Sequence, residues 1–81
     1  MSRSREEIYD KLVELLAPFN PEGKELRPDT EIAAELNIDS VGVMDFIMEV
    51  EDEFDIDIPL NVLSETHTMD DLVRVVAERI S

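Results

Sequence analysis

The chain has 81 residues, 35% of them charged, with no cysteine and a formal net charge of −14. That length suits one small domain, near the lower limit at which a core holds without staples. The lack of cysteine excludes disulfides, thiol catalysis and thiolate–zinc centres.

The charge is more telling in its position than in its total. The seven basic residues are Arg3, Arg5, Lys11, Lys24, Arg27, Arg74 and Arg79. None lies between Pro28 and Val73, where 14 of the 21 acidic residues sit, and outside that window the two signs cancel. The whole negative excess therefore belongs to the middle of the chain. A surface of one sign repels phosphate backbones and anionic lipid and steers basic partners in. Met1-Ser2-Arg3-Ser4-Arg5-Glu6-Glu7 lacks the apolar stretch of a signal peptide. No run reaches the roughly 20 apolar residues of a membrane span. One cytoplasmic domain over residues 1–81 is expected, monomeric, with no nucleic acid and no stable membrane association.

In chain order, Ser4-Arg5-Glu6-Glu7 has the form of a capping box, in which each side chain satisfies the other's exposed backbone donor. Ile8, Leu12, Leu15 and Leu16 follow at helical spacing, with Tyr9 and Val13 beside them. A first helix is expected over about residues 5–17, stopping at Pro18. Pro18, Pro21, Gly23 and Pro28 punctuate a long connection, with one helical turn expected near Glu31 to Leu36. Asp39 is a good N-cap for a second helix running from Ser40 to about Phe54, which leaves Ser40 at the first helical position with its hydroxyl outward. Leu60-Asn61-Val62-Leu63 reads as a short third helix after Pro59. Thr68-Met69-Asp70-Asp71 is a second box-like start, with Asp in place of Glu, and Met69, Leu72, Val73, Val76 and Ile80 form the stripe that follows. The expected fold is all-α: a small four-helix bundle of three main helices and a short third one, with a long loop between helices one and two.

The second helix carries two apolar faces. At about 100° per residue from Val41, Val43, Phe46, Ile47, Val50 and Phe54 fall between about 140° and 240° and form the core face. Val41, Met44 and Met48 fall near 0°, 300° and 340° by about the same geometry, among Asp45, Glu51, Asp52 and Asp55. A small bundle cannot bury both faces, and an exposed apolar stripe rimmed by charge marks a contact site. Methionine suits it, being flexible and polarisable.

Ser40 has none of the partners of a catalytic serine. The sole histidine, His67, falls in the loop before the last helix, and nothing ties it to Ser40. With glycine only at 23 and 42 there is no phosphate-cradling loop. Asp55-x-Asp57 hints at a calcium loop, but Pro59 and Leu60 stand where such a loop needs an oxygen ligand and glycine, so no metal site is expected.

Leu36-x-x-Asp39-Ser40, then an acidic helix, then Glu53-Phe54-x-x-x-Ile58-Pro59 resembles the acyl carrier protein family over essentially the whole chain. The resemblance implies a carrier rather than an enzyme. It implies 4′-phosphopantetheine attached covalently to Ser40, beside Asp39, by a phosphopantetheinyl transferase. It also implies a docking face of Val41, Met44, Asp45, Met48, Glu51, Asp52, Asp55 and Ile58 for acyl-transferring or condensing enzymes with basic patches. Helices that part to shelter an acyl chain make Val43, Phe46, Ile47, Val50, Ile58 and Val62 candidate liners. Val41 stands where the family usually has Leu, and Gly42 where an acidic residue is common, at a cost of roughly 1 kcal/mol in helix propensity. These departures suggest a specialised pathway of lipid or related acyl biosynthesis rather than bulk fatty acid synthesis. Two other readings stay open: an aminoacyl or peptidyl carrier, and an unmodified acidic interaction bundle.

Overall fold

The computed structural model describes residues 4–80. The charge counted at Arg3 and the start of the stretch read for a signal peptide lie outside the described residues. Three long helices are α1 (Arg5–Leu16), α3 (Ser40–Phe54) and α5 (Met69–Ile80), and two single-turn helices are α2 (Ile32–Glu35) and α4 (Leu60–Leu63). The turn expected near residue 31 is thus α2, and the bundle is the helical one that the spacing predicts.

Helix α1 starts where its capping box says it should. Ser4 Oγ accepts from the Glu7 N–H and Glu7 Oε1 from the Ser4 N–H, both at 3.2 Å. Its end differs from expectation. The α-helix finishes at Leu16, and Ala17–Phe19 carries on as a 3-10 turn with Pro18 inside it. A proline early in a helical segment has no N–H to leave unpaired, so it continues the chain there instead of stopping it. The turn delivers Phe19 edge-on to Phe46, with ring centroids 5.9 Å apart.

One continuous core joins the long helices. Ile8, Leu12 and Leu16 of α1 are buried with Phe46, Ile47, Val50 and Phe54 of α3 and Met69, Leu72, Val73 and Val76 of α5. Val75 is buried as well, whereas Ile80, expected in the stripe, is half-buried where the helix ends. The long connection is held at several points. Tyr9 Oη donates to Leu26 O at 2.8 Å, and burial with Asp10 and Glu25 nearby pushes its phenol above the ordinary value, keeping that proton in place. The Asn20 side chain both donates to Lys24 O and accepts from its N–H, at 3.0 Å each, across a turn whose Gly23 has φ +64°. Lys24 Nζ donates to Glu35 O at 2.7 Å, at the end of α2.

Beyond these tethers, the loop is zipped to the start of α5. Glu31 and Thr68 form an isolated antiparallel bridge. The Ile32 N–H donates to His67 O, Met69 N–H to Thr30 O and Asp70 N–H to Pro28 O, at 3.0, 3.0 and 2.8 Å. Asp71 completes the joint. Its N–H donates to Thr68 Oγ1 at 3.0 Å, while its Oδ2 accepts from the Thr68 and His67 N–H groups, both at 3.1 Å. The shorter Asp therefore closes this box as Glu closes the first.

Those two backbone donors, with the Thr68 hydroxyl and Arg74, hold the Asp71 carboxyl below its ordinary range. A carboxyl depressed in the folded state stabilises above the unfolded pKa, and that stabilisation is lost as pH falls through the folded value. Asp71→Ala should lower stability by about 1 kcal/mol near neutral pH. In thermal melts, the gap between wild type and variant should hold above about pH 5 and close as the pH drops below about 4. A gap that stays constant into acid would show that the carboxylate charge is not what holds this joint.

Candidate functional site

The start of α3 is built by two residues that flank Ser40. Asp39 is extended, at φ −77° and ψ 176°, and its Oδ1 accepts from the Gly42 N–H at 2.8 Å. Its carbonyl accepts from the Val43 N–H at 2.9 Å, which makes Ser40 the first helical residue. Because Asp39 does the capping, Ser40 Oγ is left over. It is exposed and has no hydrogen-bond partner among the described residues. His67 is exposed in the loop before α5, and among the described residues only its backbone is hydrogen-bonded. Ser40 is presented, not activated.

Gly42 has a structural reason that its sequence position does not disclose. The chain leaves α2 through Asn37 in the left-handed region, φ 54°, with the Ile38 N–H donating back to Ala33 O at 3.0 Å. This Schellman-type ending folds Ile38 over the first turn of α3. A Cβ on Gly42 would stand 2.5 Å from Ile38 Cγ2 and 3.3 Å from Asp39 Oδ1. The missing side chain is the seat of Ile38.

The second face of α3 is open. Val41 is 68% exposed, Met44 42% and Met48 61%, with Asp45, Glu49, Asp52 and Asp55 exposed around them. Among the described residues, these four carboxylates make no ion pair; Lys24, Arg27 and Arg74 pair elsewhere, and Lys11 meets only Glu53 of this helix, at 4.0 Å. Two residues assigned to this face from the sequence do not belong to it as expected. Ile58 is buried, at 7% exposure, in the core. Glu51 is half-buried and its Oε2 accepts from the Ile58 N–H at 2.8 Å, so it ties down the segment after α3. The cause is Asp55, whose left-handed φ of 55° reverses the chain and brings residue 58 back against the helix. Leu60, 71% exposed, escaped notice because a one-turn helix has no periodicity to say which way its residues point.

The inner side of α3 borders a cavity of about 160 Å³. Val43, Phe46 and Ile47 line it, as expected, with Ile32, Ala33 and Ala34 of α2 and Leu63, Thr66, His67 and Leu72 opposite. Val50, Ile58 and Val62 do not line it: Val50 and Ile58 are packed solid in the core, and Val62 is half-buried elsewhere on α4. On the helix, Ser40 falls about 60° from Val43 and about 20° from Ile47. The exposed hydroxyl thus heads the same face that walls the cavity.

Residues 10–76 match a family described as "Phosphopantetheine attachment site". The chain is 32% identical over 71 residues to the acyl carrier protein of Lactobacillus acidophilus, covering 86% of this chain and 89% of that one. It is 29% identical over 75 residues to the acyl carrier protein of Picosynechococcus, covering 91% and 93%. A probable acyl carrier protein of Caulobacter vibrioides is 42% identical over 52 residues, 64% of this chain and 60% of the relative. The chain belongs to the acyl carrier protein family. As a family member it is a carrier and not an enzyme, and its prosthetic group is covalently attached 4′-phosphopantetheine. No described helix is long and apolar enough to cross a membrane. Among the described residues, no group of three or more His, Asp or Glu side chains is arranged to hold a metal ion.

An acyl carrier with glycine one turn into this helix invites a direct test. Gly→Ala in an open helix gains up to about 1 kcal/mol. Here the added methyl meets a β-branched side chain that has little freedom to turn aside. Gly42→Ala should therefore lose about 1 kcal/mol by overpacking, and Gly42→Ala with Ile38→Ala should show favourable coupling in a double-mutant cycle of denaturant melts. Additive effects would mean that Ile38 does not sit where Gly42 leaves room.

Proposed function

We propose that Ser40 is the attachment point of the phosphopantetheine arm, and that residues 1–81 work as one carrier unit presenting acyl thioesters to partner enzymes. The observation that carries this is the exposed, unpartnered hydroxyl at the first position of a helix already capped by Asp39, inside the matched residues. The residues present fit the group. A phosphodiester on Ser40 would lie beside the N-terminus of a fifteen-residue helix, where free N–H groups and the helix dipole favour negative charge. The first turn of α3 contains no acidic residue, and the Asp39 carboxylate just ahead of it is engaged by the Gly42 N–H.

The division of labour follows from the side chains. Asp39 fixes the helix start and leaves Ser40 free for a transferase, which supplies the base that this site lacks. When bound, the arm supplies a terminal thiol that holds an acyl group as a thioester. Val41, Met44 and Met48 offer adaptable apolar contact, and Asp45, Asp52 and Asp55 offer carboxylates to basic patches on acyl-transferring or condensing enzymes. Charge of this kind raises association rates and selects partners more than it adds affinity. The uncharged Val41-Gly42 step beside Ser40 gives those partners an apolar first turn to read, which supports service in a specialised acyl or lipid pathway. A cytoplasmic location fits this role.

Incubation with coenzyme A and a broad-specificity phosphopantetheinyl transferase should add the mass of one phosphopantetheinyl group, and Ser40→Ala should add none. A folded wild-type chain that gains nothing would refute the carrier reading. Met44→Glu should weaken partner association by tenfold or so while changing stability by less than about 0.5 kcal/mol, as surface substitutions do. A large drop in melting temperature would make Met44 part of the core instead.

A further inference from the structure

The fold treats the methionines Met44, Met48 and Met69 in opposite ways. Met69 is buried in the core at 0% exposure, whereas Met44 and Met48 stand open on α3. The two exposed ones are four residues apart, one turn along the same face, with Val41 at its start. The chain has no cysteine, so thioethers are the only sulfur that the polypeptide itself offers to an oxidant.

Hydrogen peroxide is the oxidant that this face admits. It is uncharged, so an acidic surface that repels anionic oxidants leaves it free to approach. A sulfur lone pair attacks one peroxide oxygen and the O–O bond breaks. That oxygen stays on sulfur, which gives up two electrons, and the other leaves as water after a proton has moved to it. Positive charge grows on sulfur during the transfer. The exposed carboxylates of Asp45, Glu49 and Asp52, with no ion pair among the described residues, favour it.

The product is a sulfoxide, polar where the thioether was apolar. Met44 and Met48 form the apolar centre of an otherwise acidic surface, so a partner group that meets them is apolar as well. A sulfoxide oxygen pressed against such a group has no donor, which is unfavourable. The core is untouched, because both side chains already face water.

We propose that Met44 and Met48 are sites of reversible oxidation by peroxide, and that their sulfoxides release partner enzymes from α3 while the fold stays intact. The effect on partners rests on the reading of Val41, Met44 and Met48 as a docking face.

The test uses the full chain without its arm, the form on which a phosphopantetheinyl transferase acts, treated with hydrogen peroxide and then cleared of it by gel filtration. Peptide mapping should place one oxygen on each of Met44 and Met48 and none on Met69, whereas treatment in urea should oxidise all three. With the carrier below saturation, the rate of arm addition should fall about tenfold, the scale of one unpaired oxygen in an apolar contact. The melting temperature should move by less than about 3 °C. Methionine sulfoxide reductases for both epimers, with dithiothreitol as the two-electron donor, should restore the rate. Met44→Leu with Met48→Leu should make the rate insensitive to peroxide, each sample being judged against its own untreated rate.

The inference is overturned if Met69 reacts as fast as the other two, or if the rate holds with both sites converted. It is equally overturned by a loss that the reductases do not reverse, that the double variant shares, or that accompanies unfolding. Met44→Glu, assayed alongside, separates the two readings. If it slows the transferase while the sulfoxides do not, the docking face stands and only the switch falls. If neither slows it, the docking face falls as well. The wild-type comparison decides the matter even if the double variant does not fold.

Discussion

Burial of one side of α3 has to outweigh the mutual repulsion of the carboxylates on its other side. Phe46, Ile47, Val50 and Phe54 are each at least nine-tenths buried in the core that α3 shares with α1 and α5. Each such side chain contributes roughly 1.5–3 kcal/mol on leaving water. A pair of like charges in water opposes with about 1 kcal/mol at 4 Å, and screening by salt reduces it further. The core term wins, and it wins without neutralising the surface. That is why the cations can be spent on α1, the loop and α5, leaving Asp45, Glu49 and Asp52 without an ion pair among the described residues. An acidic face that its own fold had to neutralise would have nothing to offer a partner.

The same economy of side chains governs the start of α3. An exposed helix N-terminus needs an acceptor, and Asp39 provides it one residue before the hydroxyl that must stay free. Had Ser40 been the cap, its oxygen would face the backbone. Ile38 and Gly42 then fix the entry angle, one by filling a space and the other by leaving it. Three consecutive demands, to cap, to present and to pack, fall on adjacent residues with no conflict between them.

Much of this was legible in the sequence, for reasons that differ by residue. Helix starts were legible because capping is local chemistry: Ser4 with Glu7, Asp39 with Gly42, Thr68 with Asp71. The two faces of α3 were legible because fifteen residues give a helical period time to separate them. Ile58 was not, since its burial follows from the left-handed turn at Asp55, and an Asp there carries no obligation to adopt it. Leu60 failed for the opposite reason, a helix too short to have a face. Thr66 and Leu72 reach the cavity only because α5 closes on the loop, and no spacing along the chain encodes that approach. Gly42 looked like a defect in a helix until the neighbour it accommodates was known.

The bridge between Glu31 and Thr68 divides the molecule into two tiers of stability. The core of α1, α3 and α5 rests on many large buried side chains. The wall made by α2 and the loop adds only Ile32 and Leu36 to it and is otherwise held by hydrogen bonds, among them those to the entry of α5 and its Asp71 carboxylate. Segments held by few apolar contacts and by backbone bonds near solvent open at a fraction of the global unfolding free energy. The bridge also joins points almost half the chain apart, a closure whose entropy is lost before the contacts reward it. The wall is therefore suited to form last and to part first. Breathing of this kind would enlarge the space beside α3 while the helix that bears Ser40 stays where the core holds it.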